Sequence, residues 1–191
     1  MISSTTERLT ARDRLLVAAD ELFYEEGLHT VGIDRVIERA GVAKATLYNT
    51  FGSKDELIKA YLTARKSARQ ERITSKLVRY DTPGEKLLGV FDILGEILAE
   101  PTFRGCAFVR ASSEVTEGSS VAEVCDSSRA WLRKLFLDLA TAADARHPDA
   151  LAAKLVLLYD GAMNAAYLDH DRYAAVGARE VAELLLGAAT G

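Results

Sequence analysis

Residues 40–55 read AGVAKATLYNTFGSKD, and this stretch decides the fold of the N-terminal part of the chain. A segment with helical apolar spacing ends at Ala40, and Gly41 then allows the chain to turn. A second short segment carries Leu47 and Phe51 on one helical face. Two short helices joined by a turn that contains glycine are typical of the helix-turn-helix motif.

The charges around this motif favour an anionic partner. No acidic side chain lies between Glu38 and Asp55, whereas Arg39, Lys44 and Lys54 supply positive charge there. Basic side chains grouped on one surface neutralise the phosphates of double-stranded DNA. The sequence therefore predicts a DNA-binding surface on this motif.

The charge distribution along the chain agrees with this prediction, although the formal net charge is −4. Residues 1–80 carry 14 Lys and Arg against 11 Asp and Glu, whereas residues 81–191 carry 10 against 17. Such an asymmetry is expected of a DNA-contacting part joined to an acidic body, and ordinary solvated faces are the alternative.

Composition indicates a helical protein of the cytoplasm. The chain has 191 residues, is 49% apolar and contains three prolines. No apolar run reaches the roughly 18 residues of a membrane span. Met1–Thr10 is polar, which excludes a signal peptide and predicts a few disordered residues before the first helix. Cys106 and Cys125 are too few for a disulfide framework, so a reducing compartment fits them.

Apolar periodicity predicts an all-α fold of nine helices. The predicted helices cover residues 10–26, 33–40, 44–51, 53–79, 83–99, 106–117, 121–144, 148–169 and 172–186. Gly27 is expected to end the first helix in a left-handed conformation, and Gly32 to cap the second. Ser53 and Glu56 have the spacing of a capping box. We expect a homeodomain-like three-helix domain at 1–52 and a helical domain at 53–191, connected by helix 53–79.

A helical wheel of residues 44–51 separates an inward face from an outward face. Leu47 and Phe51 point toward the first two helices, whereas Ala45, Thr46 and Asn49 point outward. Asn can pair with adenine, Thr can bond to either base of a pair, and an Ala methyl can pack on the thymine methyl. We therefore expect these three residues to contact bases.

Side chains at the edges of this face are the predicted phosphate contacts, namely Lys44, Tyr48, Thr50 and Lys54. The N-terminus of the following helix adds backbone N–H donors and a positive dipole end. The alternative is that all of these are ordinary exposed polar residues. Two positions depart from the usual motif: Ile37 replaces the more frequent alanine, and Ala43 replaces a capping serine.

Residues 12–62 resemble the N-terminal domain of the tetracycline-repressor (TetR) family. The resemblance rests on the apolar face with Phe23, the break at Gly27 and the sequence AGVAKATLY followed by FGSKDEL. It implies a homodimeric all-α transcription regulator, usually a repressor that a small ligand releases from DNA. It also implies that residues matching Tyr48 and Lys54 hold the DNA backbone, with Gly32 and Ile33 close to it. The remaining chain resembles the family in length, helix count and order.

The last two predicted helices carry small residues and leucines that suit helix packing between two subunits. The candidate dimer contacts are Leu155, Leu158, Ala162, Ala165, Ala166, Val181, Leu184 and Leu185. A two-fold interface of this kind would match a palindromic operator. Packing of the same stripes within one chain is the alternative.

Aromatic and aliphatic residues of the C-terminal part are candidates for a ligand pocket. They are Phe91, Leu94, Leu98, Phe103, Phe108, Trp131, Leu135, Tyr159 and Met163, with polar contacts from Arg110, Ser112, Tyr159 or Asn164. Such a lining predicts an unidentified, mainly apolar small molecule. The alternative is a plain hydrophobic core, which an apolar stripe cannot distinguish from a pocket.

No cofactor, metal or membrane partner is expected. Glu26 and His29 have Glu-x-x-His spacing, but a glycine interrupts the helix between them and no second copy exists. Cys106 lies near Arg104, which allows a redox-sensor interpretation, with a half-buried structural cysteine as the alternative. Neither a nucleophile–base pair nor a phosphate-binding glycine loop is present, so we expect a regulator and not an enzyme. A regulator that needs no ligand is the second interpretation, and an all-α enzyme is the third.

Overall fold

The computed structural model describes residues 9–191, and within that range the chain forms nine helices and no strand. This confirms the predicted all-α fold. The helices are α1 (Ala11–Glu26), α2 (Ile33–Ala40), α3 (Lys44–Phe51), α4 (Lys54–Leu77), α5 (Pro83–Leu98), α6 (Ala107–Glu114), α7 (Ser120–Ala142), α8 (Pro148–Leu168) and α9 (Ala174–Thr190). Positions 1–8 of the predicted disordered start lie outside the described residues. No membrane-spanning helix is found among the described residues.

The predicted helices agree with the observed ones to within a few residues. Helix α6 ends at Glu114, three residues earlier than predicted, whereas α9 continues to Thr190, four residues further. A glycine inside a helix weakens it without necessarily ending it. Gly187 is therefore a helical residue of α9 and does not mark its end.

Side-chain caps fix where α1 and α4 begin. Thr10 Oγ1 accepts a hydrogen bond from the Asp13 amide at 3.2 Å, and the Asp13 carboxylate accepts one from the Thr10 amide at 3.3 Å. This reciprocal pair is a capping box. Ser53 Oγ accepts a hydrogen bond from the Glu56 amide at 3.1 Å, which is one of the two bonds of the capping box predicted for α4.

Two glycines shape the ends of α1 and α2. Gly41 is left-handed, with φ 61° and ψ 45°, and its amide donates to carbonyls of the last turn of α2. Gly27 has φ 97° but an extended ψ of 160°, so the predicted left-handed cap is wrong in ψ although glycine is still required there. Gly27 lies close to Glu114, whose Oε1 would be 3.3 Å from an added Cβ.

Helices α1, α2 and α3 pack on one another around a small apolar core. The buried side chains come from all three helices and are Leu15, Ala18, Ala19, Phe23, Val36, Ala40 and Leu47. Ile33 and Ile37 are only half-buried, so the predicted apolar face of α2 is buried through Val36 and Ala40.

The chain divides into two compact units. The N-terminal unit contains the chain up to Arg65 together with Val109–Val124, and the C-terminal unit contains Lys66–Phe108 and Cys125–Gly191. The boundary predicted from the sequence lies between residues 52 and 53. The two compact units instead meet between Arg65 and Lys66, inside α4. The division also assigns residues 109–124 to the N-terminal unit.

Hydrogen bonds explain why residues 109–124 belong to the N-terminal unit. Arg110 Nη1 donates to the Tyr24 carbonyl oxygen at 2.6 Å. The Glu114 carboxylate accepts from the His29 amide at 2.9 Å, and His29 Nε2 lies 2.5 Å from the Glu114 carbonyl oxygen. These contacts hold the end of α6 against the residues that end α1.

The C-terminal unit is built on packing among α5, α8 and α9. Phe91, Phe136 and Tyr159 form an aromatic cluster in its core, with ring centroids 5.7 to 6.5 Å apart. All three side chains are almost completely buried. Tilted aromatic pairs at this separation are favourable beyond the burial of their area.

Candidate nucleic-acid interface

Helix α3 presents one side to its neighbours and the other side outward. Leu47 is completely buried, whereas Ala45 and Asn49 are exposed and Tyr48 is 44% exposed. Thr46 is half-buried. This orientation leaves the three predicted base-contacting residues on one accessible surface, and their contacts with bases stay a prediction.

The Lys44 ammonium group is paired with an acid from α2. Its Nζ lies 2.9 Å from Asp34 Oδ1, and both side chains are exposed. The hydrogen bond to Asp34, together with the charge of that carboxylate, raises the pKa of Lys44. Asp34 precedes the acid-free stretch of residues 39–54, so the sequence prediction did not include it. The fold brings it next to α3.

The predicted phosphate contact Lys54 forms a hydrogen bond within the protein. Its Nζ donates to the Leu28 carbonyl oxygen at 2.7 Å and lies 6.0 Å from the centroid of the Phe23 ring. The side chain thereby links α4 to the loop that follows α1. Replacement of Lys54 would consequently change local stability as well as charge.

Two further predicted phosphate contacts, Thr50 and Gly32, differ in their surroundings. Thr50 Oγ1 donates to the Thr46 carbonyl oxygen at 2.6 Å, so its hydroxyl hydrogen is used within α3. Gly32 is the extended N-cap of α2, and an added Cβ there would meet nothing within 4 Å. The half-buried Ile33 follows it as the first residue of that helix.

Arg12 is a candidate phosphate contact that was not predicted from the sequence. Its guanidinium carbon lies 5.6 Å from the centroid of the Phe51 ring, and the side chain is exposed. No ion pair among residues 9–191 includes Arg12, whereas Arg35 pairs with Glu26 and Arg39 with Glu21. The sequence does not indicate that Arg12, on the polar face of α1, contacts α3.

The predicted pocket residues are brought together in the core of the C-terminal unit. Phe91, Leu94, Leu98 and Tyr159 are almost completely buried, and Phe108 is 9% exposed. The partly buried members pack against the same core and are Phe103, Trp131, Leu135 and Met163. Arg110 and Ser112, proposed as polar contacts, belong instead to the N-terminal unit.

The predicted dimer residues fall into two groups. Leu155, Ala162 and Ala166 are buried by their own chain, so their side chains serve intramolecular packing and cannot supply an exposed contact. Leu158, Ala165 and Leu185 are half-buried, whereas Val181 is 43% and Leu184 is 74% exposed. Other apolar side chains of the same helices are exposed but were not predicted as dimer contacts, among them Leu157, Leu168 and Val176.

Cys106 is half-buried and Cys125 is buried, and no disulfide joins the two. Among residues 9–191, no group of three or more His, Cys, Asp or Glu side chains could hold a metal ion.

Comparison with known proteins places the N-terminal unit in a family. Residues 15–61 match the family model described as bacterial regulatory proteins, tetR family. The transcriptional activator FasR of Mycolicibacterium smegmatis is 49% identical over 51 residues, which are 27% of this chain and 23% of FasR. The matches to the curated relatives FasR, MT1294 and UidR cover only 23% to 39% of the length of those proteins.

Two solved structures are similar over nearly the whole chain. SCO4454, a TetR-family transcriptional regulator from Streptomyces coelicolor, is 31% identical with a TM-score of 0.90, covering 95% of this chain and 96% of SCO4454. The regulator sav143 from Streptomyces avermitilis is also 31% identical, with a TM-score of 0.84 and coverage of 95% and 98%. Identity at this level over the full length, together with the match at residues 15–61, shows that this chain belongs to the TetR family of DNA-binding transcriptional regulators.

Proposed function

We propose that the protein is a homodimeric repressor that binds a palindromic operator and that a small, mainly apolar ligand releases from DNA. The observation that carries this proposal is the outward face of α3, on which Ala45 and Asn49 are exposed while Leu47 anchors the helix. A helix of this kind can enter the major groove and present short polar side chains to base edges. The family relationship makes DNA the partner, and nothing in the proposal requires a catalytic step.

Contacts with bases and with phosphates are divided along α3. Thr46 and Asn49 can form hydrogen bonds with bases, and Ala45 can pack on a thymine methyl group. Tyr48, at the edge of the same face, has a hydroxyl that can donate to a phosphate oxygen. The Lys44 ammonium group can also donate to a phosphate oxygen once it leaves Asp34.

An exposed apolar surface supports the proposed dimer. Seven large apolar side chains on α8, α9 and the turn between them are exposed: Leu157, Tyr167, Leu168, Tyr173, Val176, Val181 and Leu184. Helices α8 and α9 pack on each other, and exposed apolar side chains concentrated on one part of a protein are typical of interaction sites. Two copies joined through this surface would present two α3 helices to the half-sites of a palindrome.

The proposed ligand site lies in the C-terminal unit, where eight of the nine predicted apolar or aromatic residues belong to one core or pack against it, and Phe108 is buried in the same unit. Ligand and operator would then favour different states of the dimer, so that each weakens binding of the other. A regulator that binds DNA without any ligand is the alternative. The matched relative FasR is named an activator, so the direction of regulation is part of what has to be tested.

Asn49→Ala is expected to reduce sequence preference without a comparable loss of general DNA affinity. Removal of a base contact should weaken binding to an operator selected from random DNA by about 1–3 kcal/mol and leave binding to random duplex nearly unchanged. Tyr48→Phe should weaken both by a similar factor, because phosphate contacts carry no sequence information. Fluorescence anisotropy with both duplexes measures these effects.

Thr74→Ala is the matched control, because Thr74 is exposed on α4 within the C-terminal unit. It should change neither affinity. An Asn49→Ala variant that loses the same factor on operator and random DNA would contradict the assignment of base contacts.

Asp34→Asn is expected to strengthen binding to every DNA sequence. The substitution removes the carboxylate that pairs with Lys44 and frees that ammonium group for a phosphate. The slope of log affinity against log salt should become steeper by about one. A salt titration on random duplex checks this, with Asp126→Asn as a control that changes the same charge on the exposed surface of α7. An unchanged slope would show that Lys44 does not contact phosphate.

Leu184→Glu is expected to separate the dimer. A charge at the centre of an apolar interface leaves an unpaired carboxylate in the assembled state, so the variant should sediment as a monomer. Operator binding should fall by about 100-fold or more, because one half-site alone is then contacted. Val78→Glu, at an exposed position after α4, is the control and should remain dimeric. A dimer that survives Leu184→Glu would exclude this surface.

Ligand response and the direction of regulation are tested together with a reporter under the selected operator. Deletion of the regulator should raise expression, and a releasing compound should do the same while lowering operator affinity about 5- to 150-fold. A compound that binds the protein but leaves operator affinity unchanged would favour the ligand-independent alternative. Lower expression after deletion would identify an activator.

A further inference from the structure

Arg69 on α4 has an unusual environment within the C-terminal unit. Its Nη2 donates to the Ser128 carbonyl oxygen at 3.0 Å and to Ser128 Oγ at 2.7 Å. Its Nε is buried and donates to none of the described residues. A buried donor without a partner costs free energy, so the hydrogen bonding of this guanidinium group is incomplete in this structure.

Arg69 also lacks an acidic partner, unlike the next two cations that follow it on α4. Arg72 pairs with Glu100 and Lys76 with Glu96, both from the C-terminal unit. No ion pair between described residues includes Arg69, and the only oxygens it contacts belong to Ser128. Arg69 is half-buried and its buried Nε has no acceptor among the described residues, so Arg69 is suited to an anion that these residues do not provide.

Aromatic rings surround the Arg69 guanidinium group. Its central carbon lies 4.9 Å from the Phe108 ring centroid and 5.9 Å from that of Trp131. Burial raises the pKa of Tyr159 to about 12, and the positive charge of Arg69 opposes this rise. Tyr159 in turn contacts Phe91 and Phe136. The cation therefore lies among the apolar residues from which the ligand site was predicted.

We propose that Arg69 binds the anionic group of the ligand, and that the ligand is a monocarboxylate with an aliphatic or aromatic body. The planar guanidinium group suits a carboxylate, and the aromatic core suits the hydrocarbon part of the same molecule. This inference rests on the proposed ligand-responsive function and makes its ligand class specific. A mainly apolar ligand without charge would leave Arg69 unpaired.

Trp131 provides a direct measurement, because it is the only tryptophan of the chain and lies beside Arg69. Purified full-length protein is titrated with monocarboxylates from butanoate to dodecanoate and from benzoate to phenylbutanoate, each compared with its primary amide. Tryptophan fluorescence reports binding without DNA. At neutral pH the acid is charged and the amide is neutral, while their shapes are nearly the same.

At least one carboxylate is expected to bind saturably and about tenfold or more tightly than its amide. Arg69→Gln should remove most of this difference, because it loses the charge but keeps a polar side chain. Arg69→Lys should retain part of it, since an ammonium group keeps the charge and loses the planar fork. Far-UV circular dichroism and the thermal midpoint establish that both variants are folded.

Arg133→Gln is the matched control, because Arg133 is an exposed arginine of the same helix as Trp131. It lines a separate groove of about 630 Å³ between α7 and α8, together with Arg129 and Lys134. The control should bind the carboxylate like the unmodified protein. Loss of binding in Arg133→Gln but not in Arg69→Gln would move the anion site to that groove and overturn the proposal.

The remaining outcomes separate this inference from the proposed function. If no carboxylate changes Trp131 fluorescence up to millimolar concentration, or acids and amides bind equally, Arg69 does not bind an anionic ligand. Release of operator DNA by a neutral compound would then still support the ligand-responsive regulator. Conversely, a carboxylate that binds through Arg69 but leaves operator affinity unchanged would support the site and contradict ligand control of DNA binding.

Discussion

The proposed function depends on the burial of a single side chain, Leu47. An eight-residue helix is too short to persist alone in water, so α3 exists because it packs on α1 and α2. Leu47 is the one fully buried residue of that helix and sets its rotation. With Leu47 inward, Ala45 and Asn49 must face outward. The surface proposed to read DNA is thus a consequence of how the core of the N-terminal unit is filled.

The cations at the two proposed sites differ in their hydrogen-bond partners. In the N-terminal unit, Lys44 of α3 and Arg39 of α2 are paired with acids of the same chain, Asp34 and Glu21. DNA therefore competes with internal partners for these side chains. In the C-terminal unit, Arg69 has a serine as its hydrogen-bond partner and no acid.

Periodicity predicted the helices well, because α2 and α3 are bounded by glycines and by abrupt changes in apolar spacing. The wheel of α3 was equally informative, since one helix turn determines the directions of its side chains. Contacts between distant positions were not accessible in this way. The Lys54 bond to Leu28, the Asp34 partner of Lys44 and the serine partner of Arg69 join residues 10 to 59 positions apart. Small-residue stripes also failed to distinguish the buried Leu155 from the exposed Leu184, because both suit helix packing.

The central claim is that α3 reads bases in the major groove, and methylation protection by dimethyl sulfate tests it most directly. The reagent modifies guanine N7 in the major groove and adenine N3 in the minor groove, so one experiment reports on both. We predict protection of guanine N7 in two symmetric half-sites of the selected operator, with adenine N3 still reactive at the same positions. Protection of adenine N3 alone, or unchanged reactivity in both grooves under saturating protein, would contradict the account.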